Sequence, residues 1–557
     1  MRLMLINPVA RKTEPPRYFP LGLGQIAALA QRASFEVEVF DLNALRLSEA
    51  EAESRIAALQ ADVFGLTELI TGYRDLRYLV ELLRRYHPDK PIILGGGLAS
   101  SYPEYVMTHT AVDLVVPGEG DAVIVPLLRA LRDRTPLAAV PGILYRDGDA
   151  IRRNPPPPVV TNLDELPFPN RDLFPVDIYL ENMKTVWLFS RPTRSLSMIT
   201  SRGCPFRCIY CDKSIWGGRF RQRSVDSVIR EIETLIAAYG LEGVLFADDT
   251  FVLKKKWVLE FCAALRERLP GFRWSANGRV GVLDEEMLAA MAAAGCDTLG
   301  FGIESGSQLI LDEMRKDVRV EVAKRTILNT RSAGIRPIAY ITIGSFSETR
   351  DTIGETIRFL KETGLKSGAN FLTPFPGSPL YDEAVARGKL NLSTEELLNN
   401  WEAWNQSMLV NLTGLPDTEL IEMRQLIAVA SGAVKNSLAS RAQQLSAQKQ
   451  QELWHLALQR LSAAGHSRFV LFGAGAHTRR FLEWYAGQAE TEVIAVFDQD
   501  PAKADPHGIG GIPIVNRLPE GGETGAVLLS SDAWEDQMWE QAKLLFPASI
   551  AIFRIYG

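Results

Sequence analysis

Cysteine and histidine are scarce in this chain, five and six among 557 residues. An odd cysteine count with no secretory leader excludes a disulfide framework and describes a reduced, cytoplasmic protein. Met1-Arg2-Leu3-Met4-Leu5-Ile6 is too short for a signal peptide and reads as a buried first strand. No apolar run reaches the roughly 18 residues that cross a bilayer, so a membrane span is not expected. An excess of positive charge is missing as well. The 61 Lys and Arg stand against 67 Asp and Glu, giving a formal net charge of −6 and a pI near 5.8. Without a general basic field, nucleic acid and anionic membrane surfaces are not expected partners, and the substrate is expected to be a small molecule or a peptide.

The few cysteines are concentrated. Cys204, Cys208 and Cys211 stand in Gly203-Cys204-Pro205-Phe206-Arg207-Cys208-Ile209-Tyr210-Cys211 at C-x3-C-x2-C spacing, with no fourth cysteine nearby. Structural zinc needs four ligands, and no second pair or neighbouring histidine supplies the fourth. Thiolates are soft ligands that suit iron-sulfur clusters, and a four-iron cluster held at three irons keeps one iron open for a substrate or cofactor. Cys262 and Cys296 lie in helical surroundings and read as small buried apolar residues.

Apolar runs organise the rest as an α/β chain. Leu3–Ile6, Val37–Phe40, Val63–Leu66, Ile92–Leu94 and Leu114–Val116 alternate with helical patterns, which predicts a doubly wound parallel sheet over residues 1–140. The proline-rich stretches Asn154–Pro158 and Leu166–Pro169 mark residues 141–195 as a linker. Six further runs, Ser197–Thr200, Gly243–Phe246, Arg273–Ala276, Thr298–Ile303, Pro337–Ile343 and Ser367–Leu372, predict a partial (β/α)6 barrel within residues 196–415. The cysteine motif follows its first strand, on the face where such barrels carry their reactive groups. Residues 416–465 read as a helical connector, and residues 466–557 as a small Rossmann-like, nucleotide-binding-like domain.

The cysteine spacing, with the aromatic Tyr210 just before the last cysteine, resembles the signature of the radical S-adenosylmethionine (SAM) superfamily. The resemblance implies that Cys204, Cys208 and Cys211 hold a [4Fe-4S] cluster whose fourth iron chelates SAM, that a flavodoxin- or ferredoxin-like reductant supplies electrons, and that SAM cleavage yields a 5′-deoxyadenosyl radical. Family positions then fall on Tyr210 beside the adenine, on Asp248 and Asp249 facing the SAM amino group, and on Glu304 and Ser305 at the ribose. The residues fit other roles too: Tyr210 a core aromatic, Asp248 and Asp249 a helix N-cap, Ser305 a turn cap. Of Arg219, Arg221 and Arg223, one, Arg223 being the candidate, reads as a clamp for the SAM carboxylate or as part of a solvated charge cluster, with Ser224 capping the next helix. Ser345-Phe346-Ser347 stands where related enzymes often carry Leu-Pro-Gly. Trp401 and Trp404 read as packing beneath the barrel or lining the substrate cavity.

The first domain puts its unusual residues at the carboxyl ends of its strands, where doubly wound sheets bind ligands and glycine lets backbone approach closely. They are Leu21, Gly22 and Gly24 in Pro20–Gly24, then Asp41, Thr67, Glu68, Gly95, Gly96, Gly118, Glu119 and Gly120. The pattern resembles the cobalamin-binding domain that precedes the barrel in cobalamin-dependent radical SAM enzymes, and implies cobalamin as a third cofactor. The Asp-x-His-x-x-Gly motif that gives cobalt a histidine is absent, and neither His87 nor His109 has its context. A residue of Leu69–Tyr73 is implied beneath the cobalt instead.

Near the end, Gly473-Ala474-Gly475-Ala476-His477-Thr478 with Asp498 approaches a dinucleotide fingerprint but has Thr478 in place of the third glycine. With the Gly511–Ile514 turn it reads as an accessory or substrate-presenting module ahead of an NAD site. The whole resembles a cobalamin-dependent radical SAM methyltransferase acting on an unactivated carbon. A cyclase or ring-rearranging enzyme with the same cofactors is the alternative, and a non-catalytic cobalamin or redox sensor the reading from another class.

Overall fold

Short apolar runs bounded by glycine and polar residues become strands because a parallel sheet buries both their faces. β1 (Arg2–Asn7), β2 (Glu36–Asp41), β3 (Val63–Thr67), β4 (Ile92–Gly95) and β5 (Leu114–Val115) are parallel, and β6 (Leu144–Asp147) and β7 (Ala150–Arg153) extend the sheet antiparallel in the order β2-β1-β3-β4-β5-β6-β7. Leu3, Ile6, Phe64, Ile92 and Leu94 have no solvent exposure. The helix Tyr73–Tyr86 covers them with one apolar stripe, Leu76, Leu79, Val80 and Leu83, spaced three and four residues apart. The sheet runs past residue 140: the Gly148-Asp149 turn, with Gly148 at φ 60°, closes an antiparallel hairpin there.

The computed structural model describes residues 1–400 apart from 13 and 185, and residues 408–433, 447–474, 476–485, 491–499, 503–509, 511–518, 526–530, 538–539, 542–543, 545–546 and 550–555. Trp401, Trp404 and Gly475 lie outside the described residues. The chain forms two compact units, Met1–Ser367 with Pro374–Ala403, and Gly368–Thr373 with Trp404–Gly557.

The first unit holds a second parallel sheet. β8 (Ser195–Met198) starts it, and a two-stranded antiparallel ribbon, β9 (Ser201–Arg202) with β10 (Arg221–Gln222), brackets the cysteine loop. β11 (Gly243–Phe246), β12 (Arg273–Gly278), β13 (Cys296–Glu304) and β14 (Arg336–Ile343) continue the sheet in the order β8-β11-β12-β13-β14. This is a half-barrel of parallel strands with helices between them, as the spacing of apolar runs predicts. β8 ends at Met198, two residues before the predicted end, because the Thr200 amide turns away to the Asp248 carboxylate. Ser224 caps Val225–Tyr239 through the Ser227 amide at 3.2 Å, and Gly240 ends that helix at φ 62°.

The second unit contains β15 (Ala369–Phe371), the helices Asp417–Ala430 and Ala447–Ala463, and a six-stranded sheet. That sheet is β16 (Arg468–Phe472), β17 (Glu492–Phe497), β18 (Asp505–Ile509), β19 (Ile512–Val515), β20 (Ala526–Leu529) and β21 (Ala551–Arg554), in the order β18-β19-β17-β16-β20-β21. Of the predicted Gly511–Ile514 turn, Gly511 stands in a turn at φ 83°, and Ile512–Val515 pairs as a strand.

Candidate active site

The cysteine loop is closed at its base by the β9–β10 ribbon and by glycine. Gly203 sits at φ 81°, and a Cβ there would collide with the Arg219 carbonyl. All five cysteines are free thiols; Cys208 is buried, and Cys204 and Cys211 are half-buried. Among the described residues no three His, Cys, Asp or Glu side chains converge as a site for one metal ion. A four-iron cluster asks for something different, since each thiolate takes its own iron, and three thiols spaced along one loop fit that demand. The Cys204 sulfur faces Thr250 Oγ1 at 3.7 Å, and Arg279 Nη1 points at the Cys208 sulfur from 3.6 Å while its guanidinium lies over the Phe206 ring. Burial, with Asp249 as the next cause, pushes the Cys211 thiol up to about 12, so a bound iron has to displace that proton.

Two of the predicted SAM contacts meet in one network. Tyr210 donates its hydroxyl hydrogen to Glu304 Oε1 at 2.9 Å, Lys316 Nζ donates to the same oxygen at 2.9 Å and to the Tyr210 hydroxyl at 2.8 Å, and Thr342 donates to Glu304 Oε2 at 2.9 Å. Burial first, and the Glu304 charge second, hold the Tyr210 phenol above its usual range and therefore protonated. Ser305 is absorbed by the turn: its hydroxyl meets Thr356 at 3.0 Å and takes the Ser307 amide at 3.1 Å.

Asp248 and Asp249 part company. Asp248 is 1% exposed and accepts from the Thr200 amide at 3.0 Å, the Thr200 hydroxyl at 2.8 Å and the Ser201 hydroxyl at 2.5 Å. Neither caps a helix, since the next helix begins at Lys255. Burial pushes the Asp248 carboxyl up to about 6 against those hydrogen bonds. Its acceptors are spent on the turn that leads into the cysteine loop, while Asp249 stays exposed beside Cys211.

The arginines after the loop are not a solvated cluster. Arg223 is buried, pairs with Glu231 at 2.5 Å, donates to Ser227 and stacks on Phe168. Arg171 takes the other Glu231 oxygen at 2.9 Å; burial alone would raise that carboxyl, but the two guanidinium groups hold it below its usual range. Arg221 and Arg202, one on each strand of the ribbon, grip the end of the first sheet. Arg202 bonds Glu119 at 2.9 Å and Asp121 at 2.7 Å, and Arg221 bonds Glu119 at 3.0 Å. Arg219 is exposed.

That grip sets a cavity of 350 Å³ against the cysteine loop. Its wall takes Leu21, Gly22, Thr67, Gly95, Gly96, Gly118, Glu119 and Gly120 from the first sheet, and Arg202, Ile215, Trp216 and Arg223 from the barrel side. Glycine makes the room. A Cβ on Gly22 would meet nothing within 4 Å, whereas one on Gly96, at φ 88°, would lie 2.6 Å from Thr67 Oγ1. The flat aromatic base that ends cobalamin's nucleotide tail fits the glycine and aliphatic part of this wall, and the polar groups at its edge suit the amide and phosphate groups of such a ligand. Gly24, Asp41 and Glu68 are not part of the wall. Gly24 packs against Phe19, Asp41 is taken by Asn7 and Tyr179 at 2.8 and 2.7 Å, and Glu68 is buried with Oε1 on the Leu69 amide. Leu69, half exposed, does line it, and His87 and His109 are engaged elsewhere by the carbonyls of Ile56 and Tyr105.

Sequence reasoning missed Lys316, Arg279, Arg202 and Asp121. Lys316 sits in Met314-Arg315-Lys316-Asp317, which reads as an exposed charge run; only Arg202, next to Gly203 and Cys204, had a positional signal. In the second unit, Asp498 accepts from the Ala474 amide at 3.0 Å and from Lys503 at 3.2 Å, and buried Thr478 bonds Ser530 at 2.9 Å, so the fingerprint residues are tied to one another.

Comparison with known proteins agrees with this arrangement. Residues 10–128 match the B12 binding domain, and residues 198–360 match the radical SAM superfamily. An uncharacterised methyltransferase of Pyrococcus horikoshii is 30% identical over 388 residues, 69% of this chain and 81% of that one. Cytidylyl-2-hydroxyethylphosphonate methyltransferase of Streptomyces wedmorensis is 26% identical, over 75% of this chain and 88% of that one. Anaerobic magnesium-protoporphyrin IX monomethyl ester cyclase of Rubrivivax gelatinosus is 28% identical, over 60% of this chain and 61% of that one. In fold, the radical SAM methyltransferase TsrM of Kitasatospora setae superposes with a TM-score of 0.59 at 21% identity, over 69% of this chain and 76% of that one. The chain belongs to the cobalamin-dependent radical SAM enzymes, in which a B12-binding domain precedes a radical SAM half-barrel.

Proposed function

We propose that this enzyme transfers a methyl group to an unactivated carbon of a small-molecule or peptide substrate. The observation that carries the reading is the shared cavity wall, in which Gly22, Gly96 and Gly118 of the first sheet stand opposite Ile215 and Trp216 of the cysteine loop. A cofactor in that cavity adjoins whatever the loop holds, which is the layout that radical formation and methyl delivery at one carbon require. The names of two relatives, both methyltransferases, favour methylation over the alternatives.

When bound, the cluster and SAM supply a 5′-deoxyadenosyl radical, and cobalamin supplies the methyl group. The chain's own residues then divide the work. Cys204, Cys208 and Cys211 would hold the cluster, with Arg279 directed at the Cys208 sulfur. Tyr210, Asp249 and Glu304 would face SAM; Asp248, Ser305 and Arg223, whose polar atoms are already bonded, fix the turns on which those groups stand. Leu69 stands at the cobalamin cavity without a ligating atom. Electrons come from a one-electron reductant of the flavodoxin or ferredoxin type.

The test uses anaerobically reconstituted holoenzyme, a reductant, SAM carrying a carbon-13 methyl group, and candidate substrates read by mass spectrometry. The expected product is heavier by one labelled CH2. A product with unchanged carbon count and two fewer hydrogens contradicts methyl transfer and favours the cyclase reading, which the Rubrivivax relative supports.

A further inference from the structure

We infer that Lys316 is a positioning residue of the SAM site, whose ammonium sets the Glu304 carboxylate and the Tyr210 hydroxyl in one arrangement beside the cysteine loop. The inference rests on the reading that SAM binds there.

Lys316 is 6% exposed and reaches groups from two distant parts of the barrel. Its Nζ stands 2.9 Å from Glu304 at the end of β13 and 2.8 Å from Tyr210 in the cysteine loop. Its carbonyl accepts from Arg279, whose other terminal nitrogen points at the Cys208 sulfur. One residue thus ties the acidic strand end to the loop of thiols through both its side chain and its main chain.

The backbone around it is held in rare conformations. Glu304, Arg315 and Asp317, none of them glycine, take φ 66°, 51° and 52°. Such backbone persists where the surroundings over-determine it, and it clusters at functional sites. Gly302 is required here as well, because a Cβ would lie 2.5 Å from Glu304 Oε1 and 2.9 Å from Lys316 Nζ.

Stability alone does not account for the pair. A buried ion pair is commonly no more stable than the apolar residues that could replace it, so its presence points to a charge wanted at that place. The acceptor geometry shows what the charge prepares. A carboxylate has about four lone-pair sites. Tyr210 and Lys316 use both at Oε1 and Thr342 uses one at Oε2, leaving one aimed acceptor for a hydroxyl donor. Removing Lys316 would free the carboxylate to turn and release the Tyr210 hydroxyl with it.

A double-mutant cycle tests this on holoenzyme carrying cluster and cobalamin, with SAM affinity measured by calorimetry and by the change in the reduced cluster's electron paramagnetic resonance signal when SAM is added. Lys316→Met is expected to weaken SAM binding roughly tenfold or more, the scale of a lost supporting contact. In the Glu304→Gln background the same change is expected to cost less than about threefold, because a residue that acts through Glu304 has nothing left to act on. If Lys316→Met alone fails to load a cluster, the double variant, which buries no unpaired charge, should match Glu304→Gln. Wild-type affinity in Lys316→Met, or losses that simply add, would overturn the assignment. Absence of SAM binding by the wild-type enzyme would instead overturn the reading of the site.

Discussion

Around the cavity on the first sheet, Gly22, Gly95, Gly96, Gly118 and Gly120 bring main chain to the wall beside aliphatic side chains, while Glu119, Asp121 and Arg202 at its edge are paired with one another. At the ends of β13 and β14, in the same unit, Glu304, Lys316, Tyr210 and Thr342 spend their polar atoms on one another. One site is made by omitting side chains and the other by interlocking them. The difference follows from what each holds. A bulky cofactor needs volume, and close backbone approach provides it. A small charged cofactor needs a few donors and acceptors aimed in advance, and a network that fixes Glu304 while leaving it one open acceptor site provides the aim.

The comparison predicts opposite responses to substitution. The largest effect belongs to the thiols: Cys204→Ala, Cys208→Ala or Cys211→Ala should each abolish cluster loading, read as iron content and visible absorption, while cobalamin binding survives. Next comes the buried charge at the cavity wall. Glu231→Gln leaves Arg171 and Arg223 facing a neutral amide in a place 2% exposed, and should cost about 3–5 kcal/mol in unfolding free energy.

The glycine wall should tolerate added atoms as structure but not as site. Gly22→Leu fills open space in a helix, so the melting temperature should hold while cobalamin affinity, followed by absorbance titration, falls about tenfold to a hundredfold for a clash of about 1–3 kcal/mol. Gly96→Ala, at φ 88°, should lower both. A Gly22→Leu variant that binds cobalamin normally would break the comparison.

A milder effect is pH-dependent. Burial pushes the Glu348 carboxyl up to about 7 from the ordinary carboxyl value of 4.5, so its folded form prefers the proton. Its stabilising contribution is complete below 4.5 and is lost as pH rises towards 7, up to about 3 kcal/mol in total. Glu348→Gln should flatten the fall in melting temperature over that window. Smallest of all, Arg152→Ala removes an exposed pair with Asp147 at 3.3 Å and should change stability by less than about 0.5 kcal/mol.

The two sites also differ in how far the sequence disclosed them. Apolar runs such as Val63–Thr67 and Gly243–Phe246 announce strands because burial on both faces demands them. Glycines after strands announce a ligand wall because backbone approach leaves a compositional trace. The interlocked network leaves none: Lys316 pairs with a tyrosine 106 positions away, and Asp248 with a turn 48 positions back. Asp248, Ser305 and Arg223 read equally as functional groups or as caps and surface charges because their partners come from other elements. The β6–β7 hairpin did carry a signal, Gly148-Asp149, but its exposed strands, with only Leu144 buried, lack the alternation that would confirm it.

The central claim is that one unit carries two adjoining but separately built cofactor sites. Iron, cobalamin and SAM turnover measured on wild-type and Cys208→Ala protein test it most directly. The account predicts a four-iron cluster, one cobalamin and reductive cleavage of SAM to 5′-deoxyadenosine in the wild type, and cobalamin alone, without iron or cleavage, in Cys208→Ala. Wild-type protein that takes up iron and cobalamin but leaves SAM intact under reductant, or a variant that cleaves SAM without its cluster, would contradict it.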